Sequence, residues 1–416
     1  MTEFFDALET RDPSAREAAL LARLPAHIAR AQSAAPAFGR ILAGVDAQAV
    51  TTREALAQVP VTRKSQLLEM QKAARASDPF GGFSAIGRGA AMRRVFASPG
   101  AIYEPEGTAS DYWRTARALF AAGFRAGELV HNSFSYHMTP AGSIMETGAH
   151  ALGCTVFAGG TGQTEQQVEA IAELRPDGYA GTPSFLKILI EKAAEKGTAL
   201  PSLGKALVSG EAFPPSLRDW LVAHGVQALQ CYATADVGLI AYETTAREGL
   251  VIDEGVLVEI VRPGTDDPVA DGEVGEVVVT PLFNGDYPLV RFGTGDLSAM
   301  LPGPCPTGRS NARITGWMGR ADQTTKVRGM FVHPGQVAQV VRRFPEVLRA
   351  RLVVAGEMGQ DRMSLHVECA GAPDGLAERV SEAIREVTKL RGEVVVAAPG
   401  SLPNDGKVIE DARSYT

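Results

Sequence analysis

The 416 residues are 45% apolar and 21% charged, the balance of a soluble globular protein long enough for two or three domains. A formal charge of −7 excludes bulk binding to nucleic acid, so any polyanionic ligand needs locally clustered lysines and arginines. The four cysteines lie far apart without a C-x-x-C pair, and the seven histidines form no H-E-x-x-H pair, which argues against a disulfide framework or a structural zinc.

The N-terminal "MTEFFDALETRD" is acidic and polar, unlike a signal or transit peptide. No apolar run reaches the length of a membrane span, so a cytoplasmic protein without a membrane partner is expected. Residues 14–77 predict helices, with Leu20, Leu24 and Ile28 at helical spacing. Next comes "RVFASPGAIYEPEGTASDYW", Arg94 to Trp113. It reads as a strand ending at Val95–Phe96, a glycine-bearing turn, and a helix capped by Thr108 with Asp111 three residues on. Such a turn is where backbone N–H groups and a helix dipole can hold an anion. This one carries Glu104 and Glu106 and no lysine or arginine.

Further along, short apolar strands alternate with helices. "GELVHNSF", "GCTVFAGG", "DGYAGTP" and "KALVSGEA" predict strands, each leading into a helical pattern. This rhythm implies an α/β fold with parallel or mixed sheet. After Tyr242 the texture becomes β-rich with turn signals, a β subdomain. From about Gln323, two helices among short strands make a small α+β domain.

The candidate chemical residues lie in turns after strands, where open α/β sheets place their ligands. They include Gly210–Glu211 in "VSGEAFP", Tyr232, Thr234 and Asp236 in "QCYATADVGL", and Asp296 in "RFGTGDL". Lys407 lies on the glycine-bearing turn of "LPNDGKVIEDAR". Singly each is weak, because short motifs match by chance.

In order, these segments resemble the phenylacetate–CoA ligase family of adenylate-forming acyl-CoA synthetases, over nearly the whole chain. "LAQVPVTRKSQL" is similar to the family's "LP-x-T-x-K-x-x-L", and "FAGGTGQTEQQV" to its "SGG-x-T-E-x-Q", here one residue longer. "AGTPSF" resembles "CTPSY", "SGEAF" resembles "GAEPW", and "YATADVG" resembles "YGLTEVG". "PLVRFGTGDL" resembles "PLIRYRTGDL", and "GRADQTTKVRGMFVHPGQV" resembles "GRxDDMLKIRGVNVFPxQIE". "SLPNDGKVIEDAR" resembles the closing segment that holds a catalytic lysine.

The resemblance implies a large adenylation domain over 1–320, with mixed sheets, helices and a β subdomain, and a small mobile α+β domain over 321–416. It implies ATP, Mg²⁺ and coenzyme A as cofactors and a small, aromatic carboxylic acid as substrate; a homodimer is one assembly it allows. Lys407 becomes the catalytic lysine. Asp296 becomes the ribose ligand, and Gly210, Glu211, Tyr232, Ala233 and Thr234 line the adenine, although core packing remains a second reading of Tyr232. Asp236 stands where the family has a Mg²⁺-holding glutamate, with a helix-start aspartate as the alternative. Arg320 resembles a ribose-contacting arginine and Asp322 the hinge, while Lys326, Arg328 and Gly329 sit near CoA. Tyr136, His137, Gly159 and Gly160 line the acyl pocket, with a structural role equally open for His137.

The opening loop departs from the family's "ASSGTTGKPT". Ala97, Ser98 and Gly100 fit the pattern, with Ser98 and Gly100 as the remaining phosphate ligands, but the threonines and the lysine are missing. Two alternatives follow: a catalytically weak homologue that binds nucleotide or acyl-CoA, and an adenylating enzyme with an acceptor other than CoA.

Overall fold

The structure is a computed structural model describing residues 3–262, 265–318, 320–321, 325–328, 330–332, 334–357, 361–371, 373–403 and 407–413. The chain divides into two compact units, Met1–Met318 and Gly319–Thr416. Among the described residues, no helix is long and apolar enough to cross a membrane.

The larger unit opens with helices α1 (Pro13–Leu21), α2 (Leu24–Ala34), α3 (Pro36–Ile41) and α4 (Arg53–Ala57), then β1 (Thr62–Arg63) and α5 (Lys64–Ala74). Proline at the first turn starts α1, α2 and α3, where its missing N–H costs nothing. Leu24, Ile28 and Ala31 repeat at helical spacing on α2 and are fully buried. The chain continues through β2 (Arg94–Ser98), β3 (Ile102–Glu106), α6 (Ala116–Ala121), β4 (Leu129–Asn132), α7 (Ala141–Leu152), β5 (Thr155–Ala158) and α8 (Thr164–Leu174). Then follow β6 (Gly178–Gly181), α9 (Pro183–Glu195), β7 (Lys205–Val208), α10 (Pro215–Ala223) and β8 (Gln227–Thr234).

The strands β5, β4, β6, β7 and β8 lie side by side in parallel, joined by helical crossovers. The sheet continues antiparallel through β9 (Gly238–Glu243), β10 (Leu250–Ile252), β15 (Arg313–Ile314) and β14 (Met300–Leu301). A second sheet orders β1, β13 (Phe292–Ser298), β12 (Gly275–Pro281) and β11 (Val256–Val261). Every residue of β9, β11 and β12 is buried, including Glu243, Glu259, Glu276 and Thr280, so these strands show no alternation between a buried and an exposed face.

The segment after Arg94 differs from the sequence expectation. Residues 102–106 form a second strand, paired from Arg94↔Glu106 to Ser98↔Ile102 in an antiparallel hairpin. The next helix, α6, begins only at Ala116, and Asp111, not Thr108, accepts its first N–H at 3.2 Å. Tertiary burial decides this: Phe96 and Ile102 insert into the two cores of the unit, which a loop would leave exposed.

The smaller unit contains the hairpin β16 (Thr325–Val327) and β17 (Met330–Val332), then α11 (Pro334–Val341), β18 (Val347–Ala355), β19 (Arg362–Cys369), α12 (Leu376–Thr388), β20 (Glu393–Ala397) and β21 (Ile409–Asp411). Its sheet runs β20-β19-β18-β21, with the central pair antiparallel and both edges parallel to their neighbours. Leu376, Val380, Ala383 and Ile384 form the buried stripe of α12 against this sheet.

Candidate active site

In the larger unit, the candidates other than the hairpin residues and Asp296 follow the carboxyl ends of β4, β5 and β7 or lie at and beyond the end of β8. Asp296 comes from the other sheet. It lies inside β13 rather than in a turn, and only 7% of it is exposed. Its Oδ2 accepts a hydrogen bond from the Tyr232 hydroxyl at 2.8 Å, and its Oδ1 accepts one from the Trp317 indole N–H at 3.1 Å. Thr294 Oγ1 lies 3.1 Å from the same tyrosine hydroxyl and accepts the Asp296 N–H at 3.1 Å. Tyr232 therefore ties β8 to β13 and fixes the carboxylate, whose several lone pairs leave room for further donors.

Tyr232, Ala233 and Thr234 are the last residues of β8, with a register shift between the first two. Thr234 Oγ1 accepts the Val237 N–H at 3.2 Å, closing the tight β8–β9 turn that holds Asp236. Asp236 is thus a turn residue and not a helix start. Gly210 and Glu211 follow β7, and Glu211 Oε1 accepts the Ser184 N–H at 2.7 Å in the first turn of α9. That bond satisfies an N–H the helix leaves unpaired.

Tyr136 follows β4, and its hydroxyl accepts from Asn132 Nδ2 at 2.8 Å; burial raises its pKa. His137 is exposed. The histidine that sequence reasoning missed is His131 on β4, buried and stacked on Phe157 and Tyr179 with ring centroids 5.1 and 6.4 Å away. Burial lowers its pKa, favouring the neutral ring. Its Nε2 lies 2.8 Å from Oε1 of Gln167, which also accepts from Ser133 Oγ at 2.8 Å. Gln167 Nε2 donates to the carbonyls of Gly160 and Gly162 at 2.9 and 2.7 Å. One side chain therefore clamps the glycine segment after β5. A Cβ at Gly159 would fall 2.9 Å from Gln167 Oε1 and 3.0 Å from His131 Nε2, so this close approach requires glycine. The signal for Gln167 was its place on the buried face of α8 beside Val168 and Ile171.

The hairpin, to which the resemblance gave the place of a phosphate loop, is committed to internal bonds. Ser98 donates its hydroxyl to Glu104 Oε1 and its N–H to Glu104 Oε2. Gly100 lies in the short turn. Glu104 is fully buried, and burial together with the nearby Asp236 pushes its pKa up to about 8. Glu106, also buried, accepts from Arg94 at 2.7 Å, from the Trp113 indole at 2.8 Å and from Ser143. The cation beside Asp236 comes from outside the hairpin: Lys64 Nζ donates to Asp236 Oδ2 at 2.7 Å. Asp236 Oδ1 is buried and has no hydrogen-bond partner among the described residues.

In the smaller unit, Arg320 and Lys326 are half-buried, and Arg328 and Lys407 are exposed. Arg328 donates its N–H to Asp361 Oδ2 at 2.7 Å and its Nε to the Asp361 carbonyl at 3.0 Å. Lys407 lies two residues before the start of β21. Asp322 and Gly329 lie outside the described residues.

Residues 116–281 match the family model described as AMP-binding enzyme. A phenylacetate-coenzyme A ligase of Thermus thermophilus is 32% identical over 397 residues, covering 89% of this chain and 87% of its own. The chain belongs to the phenylacetate–CoA ligase family. A second phenylacetate-coenzyme A ligase, of Pseudomonas putida, is 30% identical, covering 97% of this chain and 95% of its own. This makes the chain an adenylate-forming, AMP-producing acid–CoA ligase by family. A crystal structure of 2-hydroxyisobutyryl-CoA ligase in complex with 2-HIB-AMP and CoA superposes with a TM-score of 0.80. It covers 98% of this chain and 92% of that one at 24% identity, and so shares the fold.

Proposed function

We propose that this member of the phenylacetate–CoA ligase family activates a small aromatic carboxylic acid. An oxygen of the acid attacks the α-phosphorus of ATP and pyrophosphate leaves. The CoA thiol then loses its proton and attacks the acyl carbon, and AMP leaves. The observation that carries this reading is the buried Asp296 carboxylate fixed by Tyr232 and Trp317, an acceptor suited to both ribose hydroxyls at once. The aromatic class of acid is supported by the relatives' names and by the aromatic residues around β4 and β5: Tyr136, His131 and Phe157.

A divalent cation fits Asp236, whose buried and unpartnered Oδ1 is the hard oxygen donor that Mg²⁺ prefers. Bound there, it would offset phosphate charge that the turn of the hairpin, with no lysine or arginine between Val95 and Glu106, leaves unmet. Lys407 is the proposed catalytic lysine, stabilising charge as the acyl–phosphate bond forms. A second reading, nucleotide binding without turnover, is favoured by one observation: Ser98 spends both its N–H and its hydroxyl on Glu104.

The test is purified protein with ATP, Mg²⁺, CoA and a panel of arylacetic, benzoic and aliphatic acids, followed by mass spectrometry for acyl-CoA. Acyl-CoA from an aromatic acid in preference to aliphatic acids of similar size supports the proposal. Preference for an aliphatic acid refutes the substrate class.

A further inference from the structure

A cavity of about 300 Å³ opens on the outer face of the β2–β3 hairpin, beside the end of α5 and the segment that follows it. Arg75, Pro79, Phe80, Arg88, Val95 and Tyr103 line it. Side chains alternate along each strand, and the register sets Ala97 opposite Tyr103 and Val95 opposite Pro105. Val95 and Tyr103 therefore share the outward face, while Ser98 and Glu104 are buried on the other. No lining residue belongs to the candidate active site.

Buried groups fix the walls. The side chain of Gln71, fully buried on α5, accepts the Tyr103 N–H at 2.8 Å and donates to the Tyr103 carbonyl at 2.9 Å. It holds this residue to the helix as a neighbouring strand would. Arg75 donates to the Ala101 carbonyl at 2.6 Å, and its guanidinium carbon lies 5.7 Å from the Tyr103 ring centroid, within cation–π range. The Asp78 carboxylate accepts the N–H groups of Phe80 and Gly82 at 2.9 and 2.6 Å, which seats the buried Phe80.

The charge is one-sided, because no acidic residue lines the cavity. The acids adjacent in sequence are engaged elsewhere, Asp78 on its own turn and Glu104 on Ser98. The carbonyl end of α5 is capped as well, the Ala74 carbonyl accepting the N–H groups of Ser77 and Asp78 at 2.9 Å each. Arg88 is exposed, and no hydrogen bond or ion pair engages its side chain among the described residues. Arg75 spends one guanidinium N–H on Ala101 and, like any guanidinium, carries others.

We propose that this cavity binds a small aromatic carboxylate, with Arg75 and Arg88 holding the carboxylate and the ring laid against Tyr103, Phe80 and Val95. Two guanidiniums without an acid beside them select an anion, and their fork matches carboxylate oxygens. The apolar and aromatic remainder of the lining selects a flat apolar body over inorganic phosphate. This site goes beyond the functional reading: it is a second place for the same class of acid, and it does not require that the acid be adenylated.

The probe is 4-fluorophenylacetate, followed by fluorine NMR on the whole protein with the adenylation site blocked by a non-hydrolysable aryl sulfamoyl adenylate. Saturable binding is expected to persist under the block, and Arg88→Ala is expected to weaken it about tenfold. Val95→Glu, on the exposed face, sets a carboxylate beside the guanidiniums and is expected to weaken it at least as much. The neutral 4-fluorophenylacetamide is expected not to bind there. Loss of all binding under the block, unchanged affinity in either variant, or displacement by inorganic phosphate as effective as by phenylacetate overturns the assignment. The functional reading fails separately: if no acid is adenylated, the difference between wild type and Arg88→Ala still decides this site.

Discussion

Lys64 Nζ lies 2.7 Å from Oδ2 of Asp236, a partly exposed cation against a carboxylate that is 1% exposed. Fully buried Glu104 feels both charges. Lys64 thus pairs with Asp236 beside the buried Glu104 of the hairpin. Lys64→Met is expected to destabilise the protein by about 1–3 kcal/mol, less than a fully buried pair would, because the lysine keeps solvent contact. At a pH above the raised value of about 8, where Glu104 carries its charge, adding Glu104→Gln is expected to restore part of the loss. Urea denaturation of both variants checks this, and no recovery in the double variant counts against the electrostatic account.

Asp296→Asn keeps the side-chain size but replaces an acceptor oxygen with a donor, which then faces either the Tyr232 hydroxyl or the Trp317 indole. A hydrogen bond to a charged group is worth about 1.5–3 kcal/mol, so the Kd for ATP is expected to rise about 10- to 100-fold. Direct nucleotide titration measures it, with thermal unfolding as the control. An unchanged Kd in a folded variant removes Asp296 from the ribose site.

Gln167→Leu leaves His131, Ser133 and the carbonyls of Gly160 and Gly162 without their shared partner. A loss of about 1–3 kcal/mol in stability is expected from the buried groups left unsatisfied. If the glycine segment walls the acyl pocket, KM for the acid rises while KM for ATP does not. A parallel rise in both would show that Gln167 supports the whole unit and not the acid site.

His27 is buried, with Nε2 2.9 Å from the Leu289 carbonyl, and burial lowers its pKa from the ordinary 6.5. In the folded protein the neutral ring is favoured, so below pH 6.5 the unfolded chain binds more protons than the native one. Its contribution is therefore fully present above pH 6.5 and is lost as pH falls through the lowered folded-state value. His27→Gln, which keeps a donor for the carbonyl, is expected to flatten this part of the stability profile. Denaturation midpoints between about pH 7 and 5 provide the measurement.

Periodicity and turn chemistry made the strand–helix alternation from Leu129 to Ala223 legible, because each apolar run is bounded by glycine or proline. The hairpin at Arg94–Glu106 was not legible. Glu104 and Pro105 look like loop residues, and only the pairing of Glu104 with Ser98 explains a carboxyl inside a strand. Asp296 carried a recognisable motif, but its partners Tyr232 and Trp317 are 64 and 21 residues away in sequence. No local pattern encodes that meeting. The Gln167 clamp was hidden for the same reason: a polar residue on a buried helix face announces burial, not what it holds.

The most direct test of the central claim is acid-dependent exchange of labelled pyrophosphate into ATP, run with Mg²⁺ and without CoA. It isolates adenylation from thioester formation and from the identity of the acceptor. Exchange that requires an arylacetic or related aromatic acid, and that is abolished in folded Lys407→Ala protein, is the predicted result. Measurable ATP binding with no exchange for any acid would contradict it and leave the Glu104 hairpin as the mark of a nucleotide-binding protein that does not turn over.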